Sequence, residues 1–142
     1  SWLRETIRQN IKGDHFIVND MRNNQPCDNS NIINTIIDKS CDLGIKFDQD
    51  GDRIYLFDKQ GKEISSDIVL LILAKSIITS LSSNIDKKIV IDIKISNRIA
   101  KYLEKLGYQV IVCRSGHVFI KEKILLENAL LAGELSGHIY FN

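Results

Sequence analysis

Hydrophobic side chains recur at spacings of three and four residues in five stretches of the chain, and this spacing predicts helices. Serine, asparagine or aspartate, the residue types that cap helix N-termini, precede three of these stretches. Glycine follows the first and the fourth stretch, as at many helix C-termini. The predicted helices are a short one around Leu3, Ile7 and Ile11 closed by Gly13, one over 32–37 capped by Asn29 or Ser30, one from 65–67 to about Leu81, one after Ser96 with Ile99, Tyr102, Leu103 and Leu106 on its core side and Gly107 at its end, and one from about His117 to Glu127.

Short apolar runs between these helices predict strands. In one run four isoleucines alternate with other residues and are expected to share one face of a strand: Ile89, Ile91, Ile93 and Ile95. The other predicted strands are 16–18, Leu43–Phe47, 54–57, Gln109–Cys113, a short strand or turn at 129–132, and one that includes 139–142, with a hairpin turn at 58–62. Alternating strands and helices predict an α/β fold of layered mixed sheets with flanking helices.

Composition is that of an ordinary folded protein, with 44% hydrophobic and 26% charged residues among 142. The formal charge of 19 − 18 = +1 produces no strong field that would favour nucleic acid or a membrane surface. No apolar run reaches the roughly 18 residues that a membrane-spanning helix needs. Cys27, Cys41 and Cys113 have no C-x-x-C spacing, which argues against a disulfide scaffold or a zinc site and favours a reducing cytoplasm.

An acidic loop directly follows the predicted strand Leu43–Phe47 and contains Asp48, Asp50 and Asp52. Like charges this close raise one another's free energy, so they require a cation or raised pKa values. Carboxylates at alternate positions of a glycine-containing turn can converge on a hard ion such as Mg²⁺. A solvated turn without an ion is the alternative.

Two known types of acidic loop, the EF-hand loop and the aspartate loop of haloacid-dehalogenase-type phosphatases, share features with residues 48–59. An EF-hand needs glycine at the sixth position and glutamate at the twelfth, where this chain has Arg53 and Lys59, so it is excluded. A phosphatase of the haloacid-dehalogenase type uses a nucleophilic aspartate after an apolar strand and a second aspartate two residues later, which Asp48 and Asp50 match. That class also needs a later acidic motif, which does not follow residue 53, and it stays an alternative.

The tripeptide Ser-Gly-His occurs twice, at 115–117 and at 136–138, in glycine-containing loops after predicted strands. Glycine lets the backbone approach a ligand closely. In the second loop Glu134 can accept hydrogen bonds from neighbouring hydroxyls, as a sugar ring presents them, and Ser136 can donate one. A glycine-rich turn without a function is the alternative for this segment.

Together these loops resemble the α-D-phosphohexomutase superfamily, which includes the phosphomannomutases and phosphoglucomutases. Residues 42–53 read D-L-G-I-K-F-D-Q-D-G-D-R and resemble the family's magnesium loop, whereas residues 133–138 read G-E-L-S-G-H and resemble its sugar-specificity loop. Residues 92–96 and 115–121 are weaker matches. Gln49 and Ile95 depart from the residues frequent in the family, and Gln49 puts only the metal affinity in question.

The resemblance implies a role for each candidate residue. Mg²⁺ would be the cofactor and a hexose phosphate, of glucose or mannose, the substrate. The implied metal ligands are Asp48, Asp50 and Asp52, with Arg53 as a nearby cation; Lys94 and His117 would contact phosphate or transfer protons, His138 would lie near the reacting centre, and Glu134 and Ser136 would bind sugar hydroxyls.

Two motifs of the family are absent from these 142 residues: the Thr-Ala-Ser-His-Asn-type loop with the phosphorylated serine, and the Arg- and Ser-rich phosphate loop. The resemblance therefore implies a central fragment of a cytoplasmic phosphohexomutase, with residues 1–64 as the C-terminal part of the second domain and 65–142 as a truncated third domain. Such a fragment is expected to lack mutase turnover and to need the remaining domains of its parent. A cation- or sugar-phosphate-binding module without catalysis is a further alternative.

Overall fold

The structure, a computed structural model, describes residues 28–48, 50–80 and 86–142, and for Ser80 only the backbone. Within these residues the chain forms two separate β-sheets with helices packed on them. This architecture agrees with the predicted layered α/β fold. The predicted helix around Ile7, the strand at 16–18, Cys27 and Gln49 lie outside the described residues.

The first sheet is antiparallel throughout, with the strand order β1-β2-β3. Its elements are helix α1 (Ser30–Asp38) and strands β1 (Leu43–Phe47), β2 (Ile54–Asp58) and β3 (Glu63–Ile64). The turn predicted between β2 and β3 forms because the Asp58 carboxylate accepts the N–H groups of Gln60 and Lys62, while Gly61 adopts a φ of +76°. Helix α1 packs its buried Ile36 onto Gly44 of β1, where a larger residue would collide with it.

The second sheet has the order β5-β4-β6-β7, in which β4 is parallel to both neighbours and β7 is antiparallel to β6. Its elements are α2 (Ser66–Ser80), β4 (Lys88–Asp92), α3 (Asn97–Lys105), β5 (Gln109–Cys113), α4 (His117–Glu127), β6 (Leu131–Gly133) and β7 (Ile139–Phe141). Because β4, β5 and β6 run in one direction, the loops that follow them emerge at the same edge of the sheet.

The core of this unit lies on both faces of the sheet. One buried cluster joins α2 and α3 to the sheet, and a smaller one joins α4 to the opposite face. Gly133 is needed for this packing, since a Cβ there would lie 2.6 Å from Cδ1 of the buried Leu70 on α2. Among the described helices, none has the length and apolar character needed to cross a membrane.

Two details of the sequence-based prediction are wrong. Strand β4 ends at Asp92, and Ile93 is 67% exposed, because Lys94 N–H donates to the Asp92 carboxylate and Ile95 N–H to the Asp92 carbonyl, which closes a turn. The strand is buried on both faces, as a central parallel strand is. Tyr102 was predicted on the core side of α3 but is 49% exposed. The buried residues of this helix are Ile99 and Leu103.

The predicted cap chemistry is confirmed at α3 but not at α1, where Asn29 is the N-cap residue without a side-chain cap hydrogen bond and its Oδ1 accepts from Lys46. Ser96 accepts a hydrogen bond from the N–H of Arg98 at the start of α3, and Gly107 takes a φ of +93° after its end. Helix α4 and strand β5 have the predicted bounds. Strand β6 begins two residues later and ends one residue later than the predicted 129–132. Helix α2 is described as far as Ser80, so its predicted end near Leu81 is outside the described residues.

We expect Leu70→Ala to lower the free energy of unfolding by about 2–5 kcal/mol, since it removes a fully buried side chain and leaves a cavity behind Gly133. Leu125→Ala is the matched control, because Leu125 is 72% exposed and its truncation should cost within about 0.5 kcal/mol. Urea unfolding followed by circular dichroism measures both. Equal losses for the two variants would show that the core is placed wrongly.

Candidate active site at the carboxyl edge of the parallel sheet

Three loops meet where the parallel strands end. The turn with Lys94 follows β4, the segment 115–117 follows β5, and Glu134 comes directly after β6. These are the segments that the sequence singled out, and the parallel topology brings them to one edge. Lys94 and His117 are both exposed there, and His117 is the first residue of α4.

A buried carboxylate lies beneath two of these loops. Asp92 is only 2% exposed, and its Oδ1 accepts a hydrogen bond of 2.6 Å from the Ser115 hydroxyl and one of 3.1 Å from the Lys94 N–H. Hydrogen bonds to a buried charge are stronger than those between neutral groups. Asp92 therefore ties the turn that carries Lys94 to the loop that precedes His117.

A second buried carboxylate, that of Glu134, is 5% exposed and holds the third loop. Its Oε1 accepts the Gly116 N–H at 2.9 Å, and its Oε2 accepts the Tyr140 hydroxyl at 2.9 Å. Gly116 is the N-cap residue of α4, so the Glu134 charge lies at the positive end of that helix. Burial, and then the hydrogen bond to Glu134, raise the pKa of Tyr140 above its ordinary value, so this hydroxyl remains a proton donor at neutral pH.

His138 joins the loop after β6 to the acidic loop. Its Nδ1 lies 2.8 Å from the Ser136 Oγ and 3.1 Å from Glu134 Oε2. Its Nε2 lies 3.1 Å from the Nε of Arg53 and 3.3 Å from Asp52 Oδ2.

The two contacts of Nε2 exclude each other, since this nitrogen accepts from Arg53 only without a proton and donates to Asp52 only with one. The Arg53 contact is shorter and has hydrogen-bond geometry. It requires the tautomer with the proton on Nδ1, which lies within reach of both the Ser136 Oγ and Glu134 Oε2. In this arrangement His138 is a relay between the guanidinium of Arg53 on one side and Ser136 and Glu134 on the other.

In the acidic loop, carboxylate oxygens of Asp48, Asp50 and Asp52 all lie within 4.8 Å of one another. Asp48 Oδ1 accepts the N–H groups of Gly51 at 3.1 Å and Arg53 at 3.2 Å. Partial burial raises the pKa of Asp48, but the Arg53 N–H, a side-chain hydrogen bond with Asp52, the Gly51 N–H and the charge of Arg53 together outweigh that effect, so the pKa lies below its ordinary value. Asp48 is therefore an anion at neutral pH.

The chemistry of this oxygen cluster suits a hard divalent cation. Three carboxylates at this spacing can point one oxygen each at a single ion, and Asp50 and Asp52 are exposed, which leaves room for water ligands. Arg53, 3.6 Å from Asp48 Oδ2 through its Nε, offsets only part of the negative charge. The residues present fit Mg²⁺.

The acidic loop and the loop with Glu134 are in direct contact through their backbones. Ile54 N–H donates to the Gly137 carbonyl at 3.2 Å, and Arg53 and His138 form an isolated antiparallel bridge. Seven of the nine predicted site residues thus belong to one network or to the oxygen cluster beside it. The other two are Lys94, on the turn after β4, and His117, at the start of α4. Asp92 accepts the Lys94 N–H, and Glu134 accepts the N–H of Gly116, which precedes His117.

Sequence reasoning missed two residues that support this site. Asp92 stands inside an otherwise apolar run, and a charge at such a position could have indicated a buried, hydrogen-bonded carboxylate. Tyr140 follows His138 at a distance of two residues, which places both side chains on one face of a strand. Nothing in the sequence indicated that its hydroxyl reaches Glu134.

Comparison with known proteins gives consistent matches. Residues 65–142 match the family described as phosphoglucomutase/phosphomannomutase, alpha/beta/alpha domain III. The chain is 40% identical over 110 residues to the phosphomannomutase of Methanocaldococcus jannaschii, covering 78% of this chain and 24% of that protein. It is 36% identical over 103 residues to a phosphomannomutase/phosphoglucomutase of Pseudomonas aeruginosa, covering 72% and 22%.

A solved structure agrees with these matches. The crystal structure of a phosphoglucomutase/phosphomannomutase family protein from Burkholderia thailandensis superposes with a TM-score of 0.73 at 29% identity, covering 82% of this chain and 26% of that one. The chain therefore spans about a quarter of the length of the relatives it matches.

We expect Ser115→Ala to lower the free energy of unfolding by about 1–3 kcal/mol, because the buried Asp92 carboxylate loses its hydroxyl donor. Ser115→Thr keeps the hydroxyl and should recover most of that stability. Denaturant unfolding measures both variants at neutral pH. The link between the two loops would be disproved if alanine had no effect.

Proposed function

Because the chain belongs to the phosphoglucomutase/phosphomannomutase family, we propose that it is the cation-binding and sugar-recognition part of a phosphohexomutase. The observation that carries this proposal is the contact between the acidic loop and the loop with Glu134, through Arg53 and His138. One loop supplies oxygen ligands for a cation and the other supplies hydrogen-bonding groups of the kind that recognise a sugar. Their contact would put a cation and a hexose at one place.

The parent enzyme is proposed to interconvert hexose 1-phosphate and hexose 6-phosphate. A phosphoserine outside this chain would give its phosphoryl group to the sugar, and the resulting bisphosphate would turn over and return the other phosphate. Bound Mg²⁺ would supply positive charge where negative charge builds up on the transferred phosphoryl group. Asp48, Asp50 and Asp52 are proposed to hold it, as their converging oxygens support.

The other residues are proposed to bind and orient the substrate. Lys94 and His117, both exposed at the sheet edge, would contact phosphate or transfer a proton. His138 would exchange a proton near the reacting centre, which its relay position between Arg53 and Glu134 supports. Glu134 and Ser136 would bind sugar hydroxyls, and neither distinguishes glucose from mannose.

Family membership argues against the phosphatase alternative, in which Asp48 would be a nucleophile. A cytoplasmic location, the division at residues 64 and 65 and the absence of nucleic-acid and membrane partners stay predictions.

Titration of the chain with Mg²⁺ by calorimetry tests the metal site. We expect a dissociation constant in the millimolar range, because the loop alone supplies few of the roughly six ligands that Mg²⁺ takes. Asp50→Asn should weaken binding about tenfold, since it removes one charged ligand from the cluster. Asp42→Asn is the control, because it removes the same charge from an exposed position at the other end of β1. Equal affinities for the two variants would contradict the assignment.

Purified chain 1–142 should not convert glucose or mannose 1-phosphate to the 6-phosphate, because it holds no phosphoserine loop. Phosphorus NMR of the reaction mixture with Mg²⁺ and a trace of hexose bisphosphate detects either product. A full-length phosphomannomutase/phosphoglucomutase assayed in parallel is the positive control. Conversion by the chain alone would overturn the proposal that the phosphoryl donor lies elsewhere.

A further inference from the structure

The carboxylate of Glu134 has little acceptor capacity left. A carboxylate offers about four acceptor positions, two on each oxygen. Gly116 N–H takes one on Oε1, whereas Tyr140 and the Nδ1 of His138 approach the two on Oε2. About one position, on Oε1, remains for a ligand hydroxyl.

The Tyr140 hydroxyl is the donor that fixes Oε2. It lies at 2.9 Å from that oxygen, while its ring packs on His138 with the ring centroids 6.2 Å apart. Because burial keeps this hydroxyl protonated, its single proton is committed to Glu134. A phenylalanine would preserve the ring contact and remove only this bond.

Without the tyrosine bond, Oε2 would be held only by His138, whose Nδ1 also lies near Ser136. The Glu134 side chain could then rotate, and the Gly116 N–H at the start of α4 would lose its fixed acceptor. Both the remaining acceptor position on Oε1 and the hydrogen bond to the Gly116 N–H therefore depend on Tyr140.

We propose that Tyr140 is a positioning residue, which orients Glu134 so that Oε1 meets a single sugar hydroxyl. The proposal rests on the assignment of sugar recognition to Glu134 under the proposed function. The Tyr140 hydroxyl bonds to Glu134 itself, whereas His117 is linked to Glu134 only through the neighbouring Gly116, so loss of this hydroxyl should weaken sugar binding more than phosphate binding.

The test compares Tyr140→Phe with the wild-type chain in titrations with glucose 1-phosphate, mannose 1-phosphate and inorganic phosphate, followed by NMR. We expect the affinity for at least one hexose phosphate to fall about tenfold and the affinity for inorganic phosphate to fall by a clearly smaller factor. Without ligand, hydrogen exchange of the Gly116 amide should become faster. Unchanged hexose-phosphate affinity, an equal loss of phosphate affinity, or an unchanged Gly116 amide would each overturn the proposal.

Tyr108→Phe is the matched control. It also removes a buried tyrosine hydroxyl, which donates to the Ala74 carbonyl at 2.8 Å, but it lies in the core away from the loops. A loss of stability alone would affect both variants, so a change in sugar affinity confined to Tyr140→Phe identifies positioning. If the wild-type chain bound Mg²⁺ but no hexose phosphate, sugar recognition by this chain would fail, and the role of Tyr140 would fall with it.

Discussion

The rest of the site depends on the hydrogen bonds that the buried Glu134 carboxylate accepts. Glu134 is placed by β6, receives the first N–H of α4 through Gly116 and the hydroxyl of Tyr140 from β7, and lies beside His138. A charge this deeply buried is tolerated only when its hydrogen bonds are made. Each element that supplies a donor is thereby held at the sheet edge, and His138 extends this constraint to the acidic loop.

Much of the fold could be predicted, because local signals and tertiary packing agree. Strand β5 and helix α4 have the predicted bounds, and Ser96 caps α3 as its chemistry favours. The end of β4 could not be predicted, since it is set by the Asp92 carboxylate, which turns the chain back. The α/β class and the phosphohexomutase resemblance were correct, because three aspartates and a glycine-flanked Glu-Leu-Ser form specific motifs.

The connections within the site were not visible in the sequence, because they join residues far apart in the chain. Arg53 and His138 are separated by 85 positions, and Asp92 and Ser115 by 23. Motifs identify which loops carry polar groups, whereas the parallel order of β4, β5 and β6 determines which loops meet. Both linked loops also follow one plan, in which a strand, an acidic residue, a glycine with positive φ and an Ile-Tyr strand follow in order.

The overall charge of +1 conceals a strong local separation of charge. Three carboxylates converge in the acidic loop, while Lys94 is exposed on a neighbouring turn. Under the proposed function, a sugar phosphate that approached the cationic side would be repelled by the aspartates until a divalent cation neutralised them. Cation and phosphate binding would therefore reinforce each other, because the same three charges that hold the ion oppose the anion in its absence.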